Sequence, residues 1–136
     1  LRSGESAELA GLPGHFRQEQ AALRDAGVTT WEQLSALSGE RLRAIARPGG
    51  ASESRLLRLR AQARLMAKAN LTPQEASLLL HAGLSEARAL AEADPQRLQV
   101  QVNRLRRRLL GAAAPPLTLA TVRGWIRAAG TSRSAN

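Results

Sequence analysis

Apolar residues recur along this chain at spacings of three and four, the period of a helix that buries one side. After Ser52 the stripe is Leu56, Leu59, Ala63, Met66 and Ala67. After Asp94-Pro95 it is Leu98, Val102, Leu105 and Leu109, and after Thr118 it is Leu119, Val122, Trp125 and Ile126. Gln99-Val100-Gln101-Val102 alternates as a strand would. The helical stripe continues on both sides of that segment, so it too is assigned to helix. No strand survives this reading, and the chain is predicted to be all-α.

The residues between the stripes are those that start and stop helices. A short helix is predicted over Glu5 to Gly11, before a turn at Pro13-Gly14. The next helix runs from Phe16 to Ala26 and stops at Gly27, placed as a C-terminal glycine. Thr29 or Thr30 caps a short helix, and Thr29 with Glu32 has the capping-box spacing. Ser38 caps another helix through about Arg47, and Pro48-Gly49-Gly50 breaks the chain. A longer helix follows from Ser52 to about Asn70. Thr72-Pro73-Gln74-Glu75 supplies a cap, a proline at the first helical position and the closing glutamate. That helix ends at Gly83; Ser85 begins the next, and Asp94-Pro95 the one after. Gly111 to Pro116 is a linker, and Thr118 caps a final helix through Ala129.

The chain also repeats itself. Gln18-Glu19 through Leu42 lies over Gln74-Glu75 through Leu98 at one fixed offset without a gap. Leu23-Arg24-Asp25-Ala26-Gly27-Val28 falls on Leu79-Leu80-His81-Ala82-Gly83-Leu84, Leu34 on Leu90, and Arg41-Leu42 on Arg97-Leu98. A duplicated unit of this size is a packing module used twice. The expectation is a single domain of about eight or nine short helices over 1–136. Repeat one covers about 9–68, repeat two about 69–130, and 131–136 forms a flexible tail. Leu23, Leu34, Leu42, Leu79, Leu90 and Leu98 should hold equivalent core positions, in halves related by a pseudo-two-fold.

Composition narrows the chemistry. Phe16, Trp31 and Trp125 are the only aromatic rings, so the core must be built from leucine and alanine, which suits closely packed helices. Trp31 and Trp125 sit in apolar stripes and are expected to pack inward. With no cysteine and two isolated histidines, His15 and His81, neither a disulfide nor a zinc site is expected. No apolar run reaches membrane-spanning length and no signal-peptide pattern opens the chain. A soluble cytoplasmic protein is therefore expected. The leading leucine suggests a trimmed start or a piece of something longer.

Net charge is +9 and unevenly placed. After Asp94 there is no acid, while Arg97, Arg104, Arg106, Arg107, Arg108, Arg123, Arg127 and Arg133 all follow. A second acid-free stretch from Ser54 to Gln74 holds Arg55, Arg58, Arg60, Arg64 and Lys68. Such asymmetry favours a polyanionic partner.

The repeated unit resembles the helix-hairpin-helix motif. Nearly the whole chain resembles the bacterial family known as domain of unknown function 4332, a tandem of such units. The resemblance is carried by Leu12-Pro13-Gly14, Ala26-Gly27-Val28-Thr29-Thr30-Trp31-Glu32-Gln33-Leu34, Leu56-Leu57-Arg58-Leu59, Leu65-Met66, and Pro116-Leu117-Thr118-Leu119-Ala120-Thr121-Val122 leading to Trp125-Ile126. It implies a fold and no established activity. In helix-hairpin-helix proteins the hairpin reads roughly Pro-Gly-aliphatic-Gly, and its amides approach a phosphate without reading bases. Carried over, the first hairpin is Pro13-Gly14-His15-Phe16, with Phe16 in place of the second glycine, and the second is Ala69-Asn70-Leu71-Thr72. Asn70 tolerates the left-handed conformation where glycine is usual. Thr72 replaces the second glycine yet supplies a cap and a hydroxyl for a phosphate. His15 stands at the aliphatic position, so a partly buried packing role is weighed equally with phosphate contact.

The cluster of Arg104, Arg106, Arg107 and Arg108 is the strongest functional signal, a basic ridge whose leucine side packs the core. Arg60, Arg64 and Lys68 form a second basic flank. Paired catalytic carboxylates, a nucleophilic triad, a phosphate-binding loop and metal-ligand spacing are all missing from the sequence. The expectation is thus a non-catalytic module without cofactor or small-molecule substrate. It binds nucleic acid, duplex DNA foremost, through the phosphate backbone at Arg104, Arg106, Arg107, Arg108, Arg60, Arg64, Lys68, Gly14, His15, Asn70 and Thr72. The alternative is a protein-interaction or scaffolding domain with degenerate hairpins.

Overall fold

The computed structural model describes residues 8–134, with side chains through residue 131. The described residues form eight α-helices and one 3-10 turn, and no named strand. The all-α expectation therefore holds. The chain forms two compact units that divide between Ala63 and Arg64.

The first unit holds a 3-10 turn at Gly14–Phe16, α1 (Arg17–Asp25), α2 (Trp31–Ser35), α3 (Gly39–Ile45) and the first part of α4 (Glu53–Ala69). Its core is Leu9, Phe16, Leu23, Val28, Trp31, Leu34, Leu42, Ile45, Leu56, Leu59 and Ala63. Of the helix expected over 5–11, residues 5–7 lie outside the described residues and 8–11 are not helical. Instead the Leu9 amide donates to the Thr29 carbonyl at 2.9 Å, and Glu8 forms an isolated antiparallel bridge with Thr30. The cap of α2 also shifts by one residue. Thr30 is the N-cap, and its hydroxyl accepts the Gln33 amide at 3.1 Å. Gln33 Oε1 takes the amides of Thr29 and Thr30 at 2.7 and 3.2 Å, so the box closes with Gln33 rather than Glu32.

In α4 the buried positions are Leu56, Leu59, Gln62, Ala63, Leu65 and Ala69. Met66 is half-buried and Ala67 exposed, so the expected stripe turns one position early in its last turns.

The second unit holds the remainder of α4, then α5 (Pro73–His81), α6 (Ala87–Ala91), α7 (Pro95–Leu110) and α8 (Leu119–Ser134). α8 packs against α6 and α7, and α5 packs against α7. The core is Leu65, Leu71, Ala76, Leu78, Leu79, Leu80, Leu90, Leu98, Val102, Val122, Trp125 and Ala129. Thr72 and Glu75 form the expected reciprocal box at 3.1 and 2.9 Å, with Pro73 inside it. α6 is capped at Glu86, not at Ser85, and without a side-chain hydrogen bond. α8 runs on through Gly130 to Ser134 rather than ending at Ala129. The Thr131 hydroxyl donates to the Arg127 carbonyl at 3.0 Å, and a Cβ at Gly130 would lie 4.0 Å from Ala91 Cβ. A small residue there suits close packing of α8 on α6, so this glycine does not stop the helix. Of the tail expected over 131–136, 131–134 are thus helical and 135–136 lie outside the described residues.

Local geometry recurs at the repeat offset. α1 ends with Gly27 at φ +84° and α5 with Gly83 at φ +89°. The Val28 amide returns to the Leu23 carbonyl at 2.8 Å, and the Leu84 amide to the Leu79 carbonyl at 2.9 Å. Both are glycine-terminated helix ends in which the chain folds back over the last turn. Ser38 accepts the Arg41 amide, and Asp94 accepts the Arg97 amide in the same register. Leu23, Leu34, Leu42, Leu79, Leu90 and Leu98 are all buried.

Candidate nucleic-acid interface

α7 is the element that organises the basic surface. Asp94 caps it, accepting the Arg97 amide at 2.9 Å, and Pro95 occupies its first turn. Leu98, Val102 and Asn103 are buried. At about 3.6 residues per turn, Arg97, Arg104 and Arg108 share the flank turned away from that side. All three are exposed, and Arg107 is exposed beside them. From Arg97 to Arg108 the flank runs about 16 Å along the helix axis. Gln101 lies in the same row and donates to the Ala82 carbonyl at 3.1 Å, tying the flank to the end of α5.

Arg106 departs from this group. It is half-buried, and its Nε donates to the Pro115 carbonyl at 2.9 Å, so it braces the connector that follows α7. On α8, Arg123 and Arg127 are exposed one turn apart.

The basic residues of α4 are distributed differently. Arg60 is half-buried in the first unit and donates to the Leu37 carbonyl at 3.0 Å. Arg64 and Lys68 fall after the division, exposed and with interactions of their own within the chain.

The two hairpins differ in what their amides do. In the first, Pro13 precedes the 3-10 turn, no side chain caps it, and the Phe16 amide returns to the Pro13 carbonyl at 3.0 Å. Gly14 is exposed, and a Cβ there would meet nothing within 4 Å. His15 is exposed rather than packed, with its ring 4.2 Å from that of the buried Phe16. In the second, Asn70 takes φ +56°, the left-handed conformation expected of it. The Thr72 hydroxyl and amide are both engaged with Glu75, whose carboxylate occupies the mouth of α5. A phosphate there would meet a negative charge.

Three features were not visible in the sequence. Asn103 is buried in α7, where its Oδ1 accepts the Leu117 amide at 2.8 Å and its Nδ2 donates to the Leu117 carbonyl at 3.1 Å. The only hint is an amide side chain next to Val102 inside a helix, where asparagine is a weak helix former. Glu19 is fully buried in the first unit, where an acid on a helix reads as surface. Leu109 and Leu110 are exposed although the stripe places Leu109 inward. His81, exposed on α5, has its Nδ1 2.9 Å from the Ser77 carbonyl. A hollow of about 190 Å³ beside α1 is lined by Leu9, Gln20, Arg24, Val28 and neighbours; none of the predicted site residues reaches it.

Among the described residues no cluster of histidine and acid side chains could hold a metal, and no helix is long and apolar enough to cross a membrane. Compared with curated proteins and with solved structures, the chain matches none. One family model does match it, across residues 13–132, which takes in both units, the α7 flank and both hairpins. The chain therefore belongs to the family described as domain of unknown function (DUF4332).

Proposed function

We propose that this protein is a non-catalytic module, built on helix-hairpin-helix-like repeats, that holds nucleic acid by the phosphate backbone without reading its sequence. The observation that carries the reading is the α7 flank. Arg97, Arg104 and Arg108 stand exposed in one row, in a stretch of chain that has no carboxylate after Asp94. A row about 16 Å long spans about five phosphates of one strand at about 3.4 Å of axial rise each. Each guanidinium can then face a different phosphate and grip it with paired N–H donors. Arg107 extends the row sideways. The uncapped turn at Gly14 and His15 offers a weaker contact in the first unit, whereas Glu75 withdraws the Thr72 amide from that role in the second. On this reading the protein works in the bacterial cytoplasm, on duplex DNA foremost.

The test is a titration of random-sequence duplex DNA at several salt concentrations. The reading requires a Kd tighter than about 0.1 mM at physiological salt, the weak end of ordinary non-specific binding. Weaker binding would defeat it.

A further inference from the structure

Phosphate binding along α7 leaves the arginines of α8 without a role. Arg123 and Arg127 are both exposed, one turn apart and about 6 Å apart along the helix axis. Among the described residues neither guanidinium has a hydrogen bond or an ion pair, and no carboxylate follows Asp94 in the chain. Ala120 and Thr131 complete the exposed side of α8. Gly124 lies beside them, and a Cβ there would meet nothing within 4 Å. No bulky side chain of this side keeps a polyanion off the two arginines.

The arginine row of α7 does not share this side. Gln99 and Asn103 hold the backbone of Leu117, and Arg106 holds that of Pro115, just ahead of α8. By helical period these three side chains lie about 150° around α7 from Arg97, Arg104 and Arg108. The row is tied instead to the end of α5, through Gln101 and the Ala82 carbonyl. α8 therefore begins at one flank of α7, and the row stands at the other. Val122, Trp125 and Ala129 are buried where α8 packs on α6 and α7, and by helical period Arg123 and Arg127 are turned away from that packed side.

We infer that the second unit carries two phosphate-binding faces and that the protein bridges two duplex segments. The α7 row holds one segment; Arg123 and Arg127 hold the other. The inference rests on the nucleic-acid reading and adds a function to it. Guanidiniums suit phosphate oxygens through paired N–H donors, and a separation of about 6 Å spans about two phosphates of one strand at about 3.4 Å of rise each. Two such contacts bind weakly alone. Copies lined along one duplex by α7 present many pairs to a second duplex, and the linked contacts then act together. A protein partner finds no apolar anchor here, because alanine, glycine and threonine are all that flank the two arginines.

The test is capture of a second duplex. One random-sequence duplex is fixed to beads, a second carries a fluorophore, and the full chain is added. The parent chain should draw the labelled duplex onto the beads. R123A/R127A should lower that capture at least about tenfold, because the linked contacts are lost together. It should still bind a single duplex in solution with the parent's salt slope. R41A/R43A removes the same charge from exposed positions of α3 and should bridge as the parent does. A parent chain that binds one duplex but captures no second would overturn the inference. So would equal capture by R123A/R127A, which would assign bridging to self-association. Loss of single-duplex slope in R123A/R127A would mean that both sets of arginines grip one duplex, and would overturn it too. A parent chain that binds no duplex at all would defeat the nucleic-acid reading itself, and bridging with it.

Discussion

Glu19 reaches across the first unit to the backbone of Ser52. Its Oε2 accepts the Ser52 amide at 2.8 Å, and the side chain is fully buried. Ser52 opens α4, with its hydroxyl accepting the Arg55 amide at 3.3 Å. A carboxylate at that point satisfies an amide that the helix cannot pair itself and lies at the positive end of α4, the longest helix among the described residues. Its second oxygen, Oε1, has no hydrogen-bond partner among the described residues. Removing the carboxylate strands the Ser52 amide and opens a void. Glu19→Ala should therefore cost about 2–4 kcal/mol in urea unfolding. Glu19→Gln keeps an acceptor oxygen and should cost less. A change below about 0.5 kcal/mol for the alanine variant would show that the contact contributes nothing net.

Gly27 and Gly83 give a matched pair of measurements. Both have positive φ and open space where a Cβ would go, so alanine meets conformational strain and no clash. Gly27→Ala and Gly83→Ala should each cost about 1–2 kcal/mol, the usual cost of placing an L side chain in the left-handed region. Thermal unfolding of the two single variants checks this. A large cost at one position and none at the other would show that the two helix ends are not equivalent.

Asn103 fastens the connector between α7 and α8 through both backbone groups of Leu117. Asn103→Ala leaves the Leu117 amide without its acceptor in a partly buried site and should destabilise by about 1–3 kcal/mol. Limited proteolysis should also show faster cutting within 111–118. Unchanged cutting would mean that Gln99, which donates to the Leu117 carbonyl at 3.2 Å, and Arg106, through Pro115, hold the connector without it.

Much of this fold is legible in the sequence because helical periodicity and capping are local. Leu34 and Leu90 read as core from the overlay of the two repeats, and Ser38, Thr72 and Asp94 read as caps from the residues beside them. What escaped depends on partners far along the chain. Leu109 fits the stripe of α7, but how far packing continues along α7 is set by other elements. Glu19 sits on a helix like any surface acid until α4 is placed against it. Gly130 looks like a stop, yet the helix continues where it lies close to Ala91. Thr29 and Thr30 are ambiguous because Glu32 and Gln33 both stand at box spacing. At the candidate site the flank of Arg97, Arg104 and Arg108 follows from the period of a helix. The backbone partners of Arg106 and Arg60 do not, because Pro115 and Leu37 are brought near only by the folded chain.

The account is tested most directly by the salt dependence of duplex DNA binding in the triple variant R97A/R104A/R108A. Each phosphate contact contributes a slope of about −0.9 in log K against log salt, so the variant should lose about 2–3 units of slope relative to the parent chain. R43A removes one exposed charge from α3 in the other unit and should leave the slope unchanged. A triple variant with the parent's slope and affinity would contradict the proposal that α7 holds the phosphate backbone.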